Sequence, residues 1–187
     1  MARREVVSSA TEHLILVDEQ DQEIGSCTKR ECHAGEGLLH RAFSIFTFNA
    51  ANELLLQQRG HNKPLWPGYW SNTCCSHPRR GESMDQAVSR RLHQELGFEC
   101  PLDFLYKFTY QAQYEAVGSE HEYCWVYHGH HDGPVDPNMA EIESYRFISI
   151  AALEDELETQ PERFTPWFKL EWAHIQDNYL DRIMAGS

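Results

Sequence analysis

What this chain lacks narrows its role first. No apolar run approaches the roughly 20 residues that a helix needs to cross a bilayer. The opening MARREVVSSATEH holds no apolar segment of the secretion-signal kind. Basic residues are scarce: 16 Lys and Arg stand against 29 Asp and Glu, a net charge of −13. A general nucleic-acid binder needs a basic stripe to neutralise phosphates, so that class is not expected. A few basic side chains converging on one small anion remain compatible with the balance, because net charge speaks mainly to solubility. Repeats, low-complexity tracts and dividing linkers are also missing. The expectation is one cytoplasmic domain over residues 1–187, with about 1–10 and 183–187 as flexible ends. Without an export signal, the cysteines at 27, 32, 74, 75, 100 and 124 are expected as reduced thiols.

What is present is enough for a core, at 41% hydrophobic and 12% aromatic residues. EHLILVD and EQDQEIGSC predict a strand, a polar turn and a partner strand. TKRECHAGEGLLH reads as loop with at most a turn of helix. RAFSIFTFNAANELLLQQR predicts a hairpin turning at Asn49–Asn52. GHNKPLWPGYW, rich in Pro and Gly, is an irregular loop. Met84, Ala87, Val88, Leu92 and Leu96 recur at three-to-four spacing, which predicts a helix with Ser83 as N-cap and Gly97 just past its end. FLYKFTYQAQY, EHEYCWVYHGHH and EIESYRFISI predict strands, and the HGHH run at 128–131 is read as loop before a Gly-Pro turn. A helix is expected near 151–158, and another from Pro166 running almost to the end. The pattern is α+β: a mixed sheet with flanking helices.

Candidate chemistry starts from EHE. On a strand, Glu120 and Glu122 share one face and His121 takes the other. Two carboxylates side by side repel unless a cation sits between them or one takes a proton. A lone Glu-x-Glu is more often a solvated strand edge. His33, His40 and His77 strengthen the functional reading, since three imidazoles and two carboxylates fill most of an octahedral shell. Eleven histidines nonetheless include some with no shared purpose.

The stretch from Ser76 to Phe98 resembles a Nudix box, G-x5-E-x7-R-E-U-x-E-E-x-G-U. Glu82 falls on its first glutamate, Arg90 and Arg91 on the R-E pair, Gln94 and Glu95 on the E-E pair, and Gly97 on the closing glycine. Arg91 and Gln94 stand where a hydrolase has metal-binding glutamates. A hydrolytic site looks dismantled.

NTCCSHP (72–78), GSEHEYC (118–124), TPWF (165–168), LLHRAFSIFTFN (38–49) and LLLQQR (54–59) together resemble type I isopentenyl-diphosphate isomerases, over about residues 10–182. The resemblance implies a single Nudix-like isomerase domain, an α/β/α sandwich. It implies that Cys75 is the catalytic thiol and that Cys74 is structural. Glu122 would be both metal ligand and acid/base partner, with Tyr110 bonded to it. His33, His40, His77, Glu120 and Glu122 would hold a divalent cation (Mn, Mg or Zn). Glu95 would hold a second cation, magnesium, bridged to a diphosphate. Lys29, Arg59, Lys63 and Arg91 would surround that diphosphate, and Trp167 would lie beside an isoprenoid tail. The implied reaction interconverts isopentenyl and dimethylallyl diphosphates by adding and removing protons through a carbocation-like state, in isoprenoid biosynthesis. The implied partner is this small substrate, with no flavin, nicotinamide, nucleic acid or membrane. The N-terminal segment and the loop at 60–68 are candidate lids. A nucleotide hydrolase of the same fold would need the missing carboxylates and no Cys75, and a metal-binding scaffold would leave the thiol, Tyr110 and Trp167 unexplained.

Overall fold

The computed structural model describes residues 5–185. In chain order it forms β1 (His13–Val17), β2 (Glu23–Thr28), α1 (Lys29–Cys32), β3 (His40–Phe48), β4 (Leu54–Arg59), β5 (Trp70–Ser71), β6 (Cys74–Ser76) and α2 (Met84–Leu96). β7 (Leu102–Tyr114), β8 (Gly118–His130), β9 (Ile142–Ile148), α3 (Ile150–Thr159), α4 (Pro166–Asn178) and α5 (Leu180–Ala185) follow.

β3 is the axis of a mixed sheet. Along one edge it pairs in parallel with β8, from His40↔Glu122 to Phe48↔His130. Its other edge is shared in turn by β1 at His40, β6 at residues 43–45 and β4 at Phe48, all antiparallel. β7 lies on the far side of β8, and β9 on the far side of β4. Side chains alternate across a strand, so the sheet has two apolar faces. Ala42, Phe46, Phe48, Cys124 and Val126 pack with Phe168 and Trp172 of α4. Phe43, Ile45, Cys74 and Tyr127 pack with Ala87, Val88 and Leu92 of α2. A mixed sheet between helices is the architecture the sequence predicted.

α2 forms where its periodicity and caps agree. The Ser83 hydroxyl accepts from Gln86 N while the Gln86 side chain returns to Ser83 N. Gly97 closes the helix at φ 78°, a left-handed conformation that Gly adopts without steric cost.

Three local expectations need correction. β3 and β4 are joined by the turn at Asn49–Asn52, but they pair only at Phe48↔Leu54 and then diverge, β3 to β8 and β4 to β9. The hairpin pattern was real; stronger long-range partners took the strands apart. His128 and His130 belong to β8 rather than a loop, since the β3 ladder continues to its last residue. The final helix breaks at Tyr179, with φ −132°, into α4 and α5. Of the expected flexible ends, 1–4 and 186–187 lie outside the described residues, whereas Val7 and Ile183 are buried. Among the described residues no helix is long and apolar enough to cross a membrane.

Candidate active site

Strand register assembles the site. The parallel β3–β8 ladder sets His40 beside Glu122, and the antiparallel β7–β8 ladder sets Tyr110 opposite it. Glu120 lies two residues earlier on β8, on the same face; His121 points away, toward the Gly37 carbonyl. β6 carries Cys75 opposite Ser44 of β3 and leads directly to His77. α1 is held by a capping box between Thr28 and Glu31, and its C-cap is His33. Gly118 lets β8 approach that C-cap: a Cβ there would collide with the His33 carbonyl, which instead accepts from Ser119 N at 3.0 Å.

These elements bring His33, His40, His77, Glu120 and Glu122 together, with one ligand atom from each inside a group no wider than 4.8 Å. His33 Nε2 lies 2.8 Å from Glu120 Oε2, and His77 Nε2 lies 2.9 Å from Glu122 Oε1. His33 Nδ1 donates to Lys29 O (2.6 Å) and His40 Nδ1 to Leu38 O (2.7 Å), which leaves both Nε2 atoms facing inward. His40 Nε2 is buried without a hydrogen-bond partner, and so are His33 Nε2 and Glu120 Oε2 despite their contact. Burial pulls His40 down to about 3 and His77 well below its usual range. Inward-facing imidazole nitrogens, orphaned buried atoms and two carboxylates fit a divalent cation.

The two carboxyls differ. Burial, then the charge of Glu120, pushes Glu122 well above the carboxylate range. Burial also works against ionisation of Glu120, but His33 overcomes it and holds that pKa low. Tyr110 OH donates to Glu122 Oε2 at 2.7 Å. Burial, then Glu122, raises the tyrosine far above its usual range, so it stays a donor.

A cavity of about 500 Å³ opens over this cluster, lined by Cys75, His77, Tyr110, Glu120, Glu122 and Trp167 on its inner wall. Burial lifts the Cys75 thiol to about 12, against the pull of Arg59, whose Nη1 lies 3.8 Å from Sγ. The Arg59 guanidinium also stands 5.1 Å from the Trp167 ring and donates to the Leu65 carbonyl. Lys29, Arg59, Lys63 and Arg91 all reach the cavity wall. Burial, then repulsion by Lys63 and Arg91, brings Lys29 down to about 8. Crowded cations of this kind favour an anion among them.

Two of the four are already paired with carboxylates. Lys63 pairs with Glu141, and Arg91 pairs with Glu95 while donating to Val7 O at 3.0 Å. Glu95 sits outside both the His/Glu group and the cavity lining, its carboxylate kept charged by Arg91 against the effect of burial. Glu82, the other box carboxylate, is bound to Arg90 at 2.6 Å. From the N-terminal segment Val6, Ser8 and Ala10 reach the cavity, and from the 60–68 loop Asn62, Lys63, Pro64 and Leu65 do.

Two carboxyls escaped sequence reasoning. Glu141 accepts from Val7 N at 3.0 Å, pairs with Lys63 and lies 4.0 Å from Arg91, so it closes the basic wall. Glu171, one helical turn after Trp167, is wholly buried and accepts from Cys124 Sγ at 3.5 Å. Neither lies in a motif; only the packing of β9 and α4 reveals them.

Residues 38–168 match the model of the NUDIX domain family. The chain is 44% identical to "Isopentenyl-diphosphate Delta-isomerase 1" of Photorhabdus laumondii, over 92% of this chain and 99% of that one. It is 48% identical to the isopentenyl-diphosphate Delta-isomerase of Burkholderia multivorans, over 84% and 89% respectively. Among solved structures it resembles a Deinococcus radiodurans protein (TM-score 0.65, 19% identity, 80% of this chain and 90% of that one). It also resembles a MutT protein from Methanosarcina mazei (TM-score 0.61, 18% identity, 77% and 94%). At such low identity these two likenesses speak to the fold alone.

Proposed function

This chain belongs to the isopentenyl-diphosphate Delta-isomerases of the NUDIX domain family, and we propose that it interconverts isopentenyl and dimethylallyl diphosphates in the cytoplasm, for isoprenoid biosynthesis. The observation that carries the reading is that Cys75 and the Tyr110–Glu122 pair face one cavity whose rim is basic.

An unactivated alkene is a weak base, so moving its double bond by one carbon requires a strong acid on one side and a base on the other. Tyr110 donates to Glu122 at 2.7 Å, and this pair is the better placed acid. Cys75 Sγ, with Arg59 Nη1 at 3.8 Å, removes the second proton as its thiolate in one direction and gives it back as the thiol in the other. The positively charged state between the two transfers is shielded from water by the buried setting and faces the Trp167 ring. Such a contact is worth about 2 kcal/mol or more when desolvated.

Lys29, Arg59, Lys63 and Arg91 bind the diphosphate, with Glu141 holding Lys63 and Arg91 until it arrives. His33, His40, His77, Glu120 and Glu122 hold a divalent cation (manganese, magnesium or zinc). Glu95, once freed from Arg91, would hold a second cation, magnesium, for the diphosphate. Bound in the five-residue group, the first cation would supply positive charge that stabilises both carboxylates and acidifies the groups they contact.

The NUDIX hydrolase alternative finds little support: Arg91 and Gln94 replace box carboxylates, and Glu82 is occupied by Arg90. Incubating isopentenyl diphosphate with the protein and a divalent metal separates the readings. Dimethylallyl diphosphate is the expected product; release of phosphate without it would show hydrolysis.

A further inference from the structure

Outside the candidate active site, one pair of reactive side chains has no part in the reaction. Cys27, near the end of β2, and Cys32, at the end of α1, bring their Sγ atoms to 3.0 Å. Both are free thiols. We propose that Cys27 and Cys32 form a reversible dithiol–disulfide site whose oxidant is a low-molecular-weight disulfide such as oxidised glutathione.

The local structure prepares the bond. The four residues between the cysteines are fixed by the capping box, in which Thr28 Oγ1 accepts from Glu31 N and Glu31 Oε2 accepts from Thr28 N at 2.9 Å. The ordering that a short disulfide loop requires is therefore already in place, and the two sulfurs have only about 1 Å to close to reach bonding distance.

Exposure assigns the order of attack. Cys32 is completely buried, while Cys27 is half-buried on β2, the terminal strand of the sheet. The Cys27 thiolate attacks the glutathione disulfide, forming a mixed disulfide and expelling one glutathione thiolate. The Cys32 sulfur then attacks Cys27 Sγ and expels the second. The balance is one oxidised glutathione and two protein thiols giving one protein disulfide and two reduced glutathiones. The bond would tie α1 to β2 beside Lys29 and His33, the residues at the start and just past the end of that helix.

Trypsin provides the test, because it cuts after Lys29 and Arg30, between the two cysteines. The metal-loaded full-length protein is incubated with oxidised glutathione, alkylated, digested and mapped by mass spectrometry. The expected result is a Cys27 peptide joined to a Cys32 peptide, two hydrogens lighter than the free pair and separated by dithiothreitol. Alkylation of both as free thiols, a persisting glutathione adduct on Cys27, or a bond from either to another cysteine would each overturn the proposal. The order of attack is read from single variants: Cys32 in Cys27→Ser should react roughly tenfold or more slowly than Cys27 in Cys32→Ser, as burial requires. Equal rates would contradict it.

Discussion

Cys74 and Cys75 are adjacent in the chain and lie on opposite faces of the same sheet. Cys74 packs with α2 residues in one apolar cluster, while Cys75 packs against the other and lines the cavity. The alternation of β6 alone buries one thiol against α2 and turns the other to the cavity.

Cys75→Ala should therefore abolish isomerisation while metal content and the unfolding midpoint stay near wild type. Cys74→Ala should keep most activity and lose about 1 kcal/mol of stability from its buried site. Turnover and denaturant unfolding on both variants check this, and reversed phenotypes would put the catalytic thiol at the wrong position.

His77→Ala and Glu120→Ala should each lower bound divalent metal and activity together, since each removes one inward donor from the five-residue group. Metal analysis of protein purified without chelator gives the answer. Full occupancy in both variants would take these residues out of the site.

Arg91 is 2% exposed and carries the charge opposite Glu95, so its loss has two consequences. Arg91→Ala should raise KM and also destabilise the fold by about 3–5 kcal/mol, because Glu95 is left buried and unpaired. Arg91→Glu with Gln94→Glu, which restores the hydrolase pattern, should damage isomerisation severely by setting negative charge beside the substrate's own. Normal KM and turnover in the double variant would mean that this helix does not face the diphosphate.

The α2 helix, both its caps and the alternation of EHE were legible because each depends on residues close in sequence. The separation of Cys74 from Cys75 followed from the same short-range rule. Distant pairing was not legible. Nothing in RAFSIFTFNAANELLLQQR says that β3 will prefer β8 and β4 will prefer β9, so the hairpin pattern overstated its own pairing. The same ladder drew His128 and His130 into a strand. Glu141 was invisible because its value comes from Lys63, Arg91 and Val7, three segments that meet only in the fold. The resemblance supplied roles for Arg91 and Glu95, but not their mutual ion pair.

Glu171 gives the fold a pH dependence of defined sign. Burial raises its carboxyl to about 8, with Ser44 and Cys124 only partly offsetting this. An unfolded chain would ionise it near a pKa of roughly 4.3. Between those values the folded state binds the extra proton, so this group's contribution to stability is full below about pH 4.3 and declines as pH rises toward about 8. Glu171→Gln should flatten that part of the curve and raise the denaturation midpoint at pH 8 relative to wild type. An unchanged slope in urea unfolding at pH 6 and pH 8 would show that Glu171 is already ionised in the fold.

The central claim is that the double bond moves by one proton added and another removed, with Cys75 and the Tyr110–Glu122 pair as the two proton-handling groups. Turnover of isopentenyl diphosphate in D2O, followed by NMR of the product, tests it most directly. Dimethylallyl diphosphate should carry solvent deuterium in the newly formed methyl group, with incorporation lost in both Cys75→Ala and Glu122→Gln. Product formed without solvent deuterium, or undiminished incorporation in either variant, would contradict it.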